Sequence, residues 1–138
     1  MNKKFQLDAL QPADRLVLPK SGVGFIQHHA IYIGKNKKGS RLYIENAIGE
    51  GVRVVDEAYL FRDSYKLTRV EPFAGNRNQR KTAVRLARQL IGREYDLLNF
   101  NCEHYANTVQ RNKRYSTQVE NGIVLGLLAI VLYIGLSK

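Results

Sequence analysis

The hydrophobic period of this chain changes between Val70 and Gln79, and that change limits the folds open to it. Before it, apolar, β-branched and aromatic residues come in short runs: Arg15-Leu16-Val17-Leu18, His28 to Ile33 (HHAIYI), Leu42 to Ile44 (LYI), Val52 to Val55 and Tyr65 to Val70. Short runs bounded by Pro, Gly and Asn are strand patterns, and Gly34 to Ser40 between two of them reads as the loop of a hairpin. After it, Ala83, Val84, Ala87, Leu90 and Ile91 recur at spacings of three and four while Arg80, Lys81, Arg85 and Arg88 take other faces. That spacing predicts an amphipathic helix over Gln79 to Ile91, closed by Gly92. Asn101 suits the N-cap of a second helix running from Cys102 toward Asn112. Strands first and helices afterwards specify an α+β domain, an antiparallel sheet with helices packed on it.

The chain has 138 residues and fits one compact domain. A single cysteine, Cys102, excludes an intrachain disulfide and suits a reducing compartment. With 22 Lys and Arg against 12 Asp and Glu, the formal charge is +10. Only Lys138 carries charge after Gly122, so this excess belongs to residues 1–121, the expected catalytic domain.

Residues 122–138 form the second expected unit. Gly122 to Leu136 (GIVLGLLAIVLYIGL) contains fifteen residues without a charge. As a helix it would be ~23 Å long, short of the ~30 Å hydrocarbon core of a bilayer but within reach of local thinning. An amphipathic core helix keeps a polar stripe, and apart from Tyr133 this segment has none. We therefore expect a C-terminal hydrophobic helix that anchors the chain as a single pass. Arg111, Lys113 and Arg114 precede it and would keep the domain cytoplasmic. Met1 to Leu10 carries no signal-peptide pattern. The anchor turns the meaning of the basic charge toward a lipid bilayer and away from nucleic acid.

Cys102 follows a loop and opens a helix, where backbone N–H groups and the helix dipole favour thiolate over thiol. A buried small hydrophobe is the plain alternative. A nucleophile needs a base, and three histidines are available. His104 lies two residues on and does not share the helix face of Cys102, so packing or capping suits it better. His28 and His29 point to opposite faces of one strand, and periodicity does not say which meets Cys102. The Cys and His spacings match no structural zinc pattern, and no glycine-rich phosphate loop follows a strand; no metal or cofactor is expected.

Pro12-Ala13-Asp14-Arg15-Leu16, His28-His29-Ala30-Ile31-Tyr32-Ile33-Gly34 and Asn101-Cys102-Glu103-His104-Tyr105, followed by an apolar tail, resemble the lecithin retinol acyltransferase-like family. The small tail-anchored phospholipase A/acyltransferases are the most similar branch. The resemblance implies a circularly permuted papain-like fold of the NlpC type, with Cys102 as nucleophile and His28 as base. The family's second histidine has no counterpart; Glu45, or Asn46 one residue on, takes its place. A carboxylate or amide there can orient an imidazole. The implied activity is cleavage of phospholipid esters through a thioester on Cys102, with phospholipid and the bilayer as partners. The rival readings are a thiol peptidase or amidase of the same superfamily and a catalytically weak membrane-surface module.

Overall fold

The computed structural model describes residues 2–20, 27–63, 66–111 and 135–136. Apart from Gly135 and Leu136, the apolar run from Gly122 lies outside the described residues, and so does Tyr65 of the expected fifth strand. Among the described residues no helix is long and apolar enough to cross a membrane.

Five strands, β1 (Arg15–Pro19), β2 (Gln27–Lys35), β3 (Arg41–Ala47), β4 (Gly51–Asp56) and β5 (Arg69–Glu71), form one antiparallel sheet in the order β4-β3-β2-β1-β5. Among the described residues four named helices accompany it: α1 (Lys3–Asp8), α2 (Glu57–Leu60), α3 (Arg77–Gln89) and α4 (Cys102–Arg111). The expected α+β class and both long helices are present, α3 beginning two residues before Gln79 and α4 ending one before Asn112. The short helices α1 and α2 carry no apolar period long enough to be read.

Both faces of the sheet are covered, which explains why β2 does not alternate apolar with polar. Ile31, Ile33, Ile44 and Val52 pack against Ala83 and Ala87 of α3 and Tyr105, Ala106 and Val109 of α4. Ala30, Tyr32, Tyr43 and Val55 pack on the other face with Leu7 of α1 and Leu60 and Phe61 at α2. Successive β2 side chains enter different cores, so Ala30 to Ile33 are all buried. The same alternation sends His28 toward α2 and His29 toward α4.

The Pro12-Ala13-Asp14 stretch is a structural staple. Ala13 takes φ 79°, where side chains other than glycine are strained. It is held there by its N–H on Tyr32 O at 2.8 Å and by Tyr32 N–H on Asp14 O at 2.9 Å. The Asp14 carboxylate accepts from Gln11 N–H, Phe73 N–H and Arg80 at 2.9, 3.0 and 2.7 Å. Arg80, expected on an outward face of its helix, is half-buried for this reason.

A second constraint lies at Gly51, with φ 73° and a position where a Cβ would meet Arg93 O at 2.4 Å. No other residue fits. Val52 N–H bonds Arg93 O and Gly92 N–H bonds Val52 O, both at 2.9 Å. These bonds draw the segment leading to Cys102 against β4.

Candidate active site

The site forms where β2 and β3 part. Their pairing runs from Lys35↔Arg41 to Ala30↔Glu45 and stops, while β3 continues along β4 to Ala47↔Gly51. Gln27 to His29 thus have no β3 partners, and the first residue of α4 takes their place. Cys102 Sγ lies 3.7 Å from Gln27 O, and the His29 backbone N–H is also bonded to Cys102. Asn46 continues past the split on the α4 face and donates to Phe100 O at 2.7 Å, tethering the loop that delivers the cysteine.

The start of α4 is capped from both directions. Asn101 Oδ1 accepts from Glu103 N–H and His104 N–H, each at 3.0 Å, and Asn101 N–H donates to His104 Nδ1 at 3.1 Å. This is a capping box with histidine in the place of Glu or Gln. His104 is therefore a capping residue, as its spacing from Cys102 suggested. The cap uses the second and third N–H groups of the helix and leaves the Cys102 N–H beside the thiol, where an oxyanion would form.

His28 is the histidine that meets the cysteine: their side chains are hydrogen-bonded. His28 Nε2 lies 3.4 Å from Glu45 Oε1. Glu45 is almost fully buried, its side chain 3% exposed, and its second oxygen lies 3.3 Å from Arg53. Arg53 stands directly opposite Glu45 on β4 and also donates to the Tyr59 hydroxyl at 2.9 Å. Burial disfavours the His28 charge, yet the bonds to Cys102 and Glu45 outweigh it and lift the imidazole to about 9. Burial likewise pushes the Cys102 thiol up. His28, the His29 N–H and the Lys20 charge pull it below its ordinary value. Glu45 is also held below the usual carboxylate range: burial raises it, but His28 and Arg53 prevail. All three directions favour a thiolate-imidazolium pair backed by a carboxylate.

His29 has the opposite environment. Its Nδ1 accepts from Arg15 Nε at 3.0 Å, and Arg15 Nη1 donates to Asn107 Oδ1 at 2.6 Å. Burial and the Arg15 charge push its pKa down to about 2, so the ring is neutral. Its Nε2 is buried without a partner among the described residues.

The pair opens into a cavity of about 690 Å³ lined by His28, Glu45, Arg53, Tyr59, Tyr95 and Cys102, among others. Tyr95 is pushed up to about 12, by burial and then by the Cys102 charge, and stays a neutral phenol. Among the described residues no cluster of three or more His, Cys, Asp or Glu side chains is arranged to hold a metal ion.

Cys102, His28 and Glu45 come together, while Asn46 is placed on the tether to Phe100 and away from His28. Arg53 and Arg15 were missed. Arg53 had a signal, since the tight β3-β4 turn places it opposite Glu45; Arg15 had none beyond its place beside the Pro12-Ala13-Asp14 turn.

A family model described as permuted papain-like amidase enzyme, YaeF/YiiX, C92 family, matches residues 4–115. The match covers every strand and helix described above apart from Lys3, the first residue of α1, and reaches the papain-like superfamily of the expected fold; it does not extend to the acyltransferase branch that the motifs resemble. No curated protein matches the chain.

Proposed function

The chain belongs to the C92 family of permuted papain-like amidases, and on that premise we propose that it is a thiol amidase in which Cys102, His28 and Glu45 carry the chemistry. The observation that supports this most directly is the hydrogen-bonded Cys102-His28 pair, backed by Glu45 at 3.4 Å and opening into one cavity. The Cys102 thiolate attacks the amide carbonyl, and the oxyanion forms beside the Cys102 N–H. The C–N bond breaks as His28 passes its proton to the leaving amine, leaving a thioester on Cys102. Water, giving its proton to His28, then releases the acid and restores the thiolate-imidazolium pair.

Glu45 keeps the imidazole oriented and charged, and Arg53 keeps Glu45 ionised. The test is a panel of fluorogenic peptide and N-acyl amides and fluorogenic phospholipids, read together with intact mass. Amide turnover, abolished in Cys102→Ser, with an acyl mass on Cys102 is the expected result. Turnover unchanged in Cys102→Ser overturns the reading.

The ester reading has its own support in the Asn101-Cys102-Glu103-His104 stretch and the apolar run from Gly122. The same acyl-enzyme would form with an alkoxide leaving in place of the amine. Acylation of Cys102 by phospholipid and by none of the amides would select that substrate class, with the protein at a bilayer through residues 122–138.

A further inference from the structure

The segment 72–93 contains no acidic residue, and four of its cations project from one side of α3. At ~100° per residue, Arg77, Arg88, Lys81 and Arg85 fall at about 0°, 20°, 40° and 80°, within one quarter of the helix circumference. All four are exposed. No ion pair is formed by any of them among the described residues, whereas Arg80, on the inner side, is spent on Asp14 and Pro12 O. Four like charges at neighbouring helical positions repel one another, and no acidic side chain on the helix offsets them.

Beneath the N-terminal half of this stripe is a crease of about 610 Å³. Its floor is Pro12, Ile33 and Val84, its rim carries Arg77 and Lys81, and no acid lines it. A cationic rim over an apolar floor matches an anionic amphiphile. The end of α4 sits at the same end of the domain: Gln110 donates to Ala13 O at 3.1 Å, and Arg80 donates to Pro12 O at 2.6 Å. The chain therefore leaves α4 beside the crease, and the apolar run from Gly122 follows eleven residues after Arg111.

We propose that the Arg77, Lys81, Arg85 and Arg88 face of α3, with the crease beneath it, docks the domain on a membrane surface of anionic phospholipid. This does not depend on the proposed amidase activity. It also sets the orientation of that site. Ile33 in the crease and His28 in the catalytic cavity are five residues apart on β2, ~17 Å at the strand rise, and lie toward opposite ends of it. A domain docked through α3 holds its catalytic cavity away from the bilayer, open to an amide substrate outside the lipid.

The chain has no tryptophan, so Asn78→Trp in the full chain places a unique indole beside the stripe, with Thr82→Trp as a second reporter. Brominated phosphatidylglycerol vesicles should quench the indole, and brominated phosphatidylcholine should do so far less. Each basic residue near an anionic surface contributes roughly fivefold to partitioning, so Arg77→Glu/Lys81→Glu/Arg85→Glu should weaken docking by more than roughly a hundredfold. Far-ultraviolet circular dichroism and the Cys102 alkylation rate should stay unchanged in that variant. Co-sedimentation with an unquenched indole would mean that the apolar run alone docks, and would overturn the proposal. So would equal quenching by both lipids, or quenching that survives charge reversal. An indole already shielded before vesicles are added, as when the chain's own apolar run fills the crease, overturns it as well, as does tighter retention on duplex DNA than on phosphatidylglycerol.

Discussion

His28 and His29 are neighbours in sequence and opposites in chemistry. His28 faces the α2 side, its side chain 24% exposed between a thiol and a carboxylate, with its pKa lifted to about 9. His29 faces the α4 side, 2% exposed beneath a guanidinium, with its pKa lowered to about 2. Identical side chains one residue apart thus differ by the sign of the charge beside them. The anionic partners Glu45 and Cys102 make an acid-base group of one, and the cation Arg15 makes a neutral hydrogen-bond acceptor of the other. The second histidine still serves the site through its backbone, because its N–H bonds Cys102.

Removing the active histidine should break the comparison outright. His28→Ala, like Cys102→Ser, should lower amide turnover by about three orders of magnitude or more, while the urea midpoint stays close to wild type. Comparable losses in His29→Asn would show that the strand faces carry no such division of labour.

Arg15 tests the inert side. Arg15→Met leaves His29 Nδ1 and Asn107 Oδ1 without their donor and should cost about 3 kcal/mol of stability in chemical denaturation. Turnover per folded molecule should change little, since Arg15 hydrogen-bonds His29 and Asn107 and neither His28 nor the Cys102 thiol. A variant as stable as wild type would mean that this network contributes nothing to holding α4 on β2.

Glu45→Gln sharpens the contrast by removing one of the two partners that keep His28 charged. The His28 pKa should fall from about 9 toward 6.5, so the alkaline limit of amide turnover, which needs the imidazolium as proton donor, moves to lower pH. At neutral pH turnover should drop by about ten- to a hundredfold. A profile superimposable on wild type would remove Glu45 from the mechanism. Asn46→Ala, by contrast, should act through the Phe100 tether and loosen the cysteine loop without moving the profile.

The smallest effect is in acid. His29 is neutral when folded down to about pH 2, but protonates near 6.5 when unfolded. Its contribution is therefore intact above pH 6.5 and is lost as pH falls, at up to about 1.4 kcal/mol per pH unit. His29→Asn should show a shallower loss of stability between pH 6 and 4 than wild type. An identical slope would mean that His29 is not held neutral.

Much of this was legible beforehand. The strand runs and the three-four spacing after Gln79 located β1 to β4, α3 and α4 within three residues at each end, because burial imposes those periods directly. Cys102 at a helix opening, and His104 as a packed or capping residue, followed from local backbone chemistry, and the structure selects the cap. The choice of His28 over His29 rested on motif resemblance, since alternation says only that the two diverge. Arg15 reads as an ordinary strand-start cation, and its burial depends on Asn107, 92 residues later.

Periodicity, capping and turn propensity act over a few residues, so β1 to β4, α3 and α4, their order and the chemical groups available follow from the chain alone, whereas the short α1 and α2 do not. The tertiary structure decided which groups meet. It parted β2 from β3 beyond Ala30↔Glu45 and placed the first turn of α4 in the gap. It set Arg53 behind Glu45 and Arg15 beneath His29. A side chain's charge state depends on desolvation and on charges within a few ångströms, and those neighbours come from strands and helices far apart in the chain.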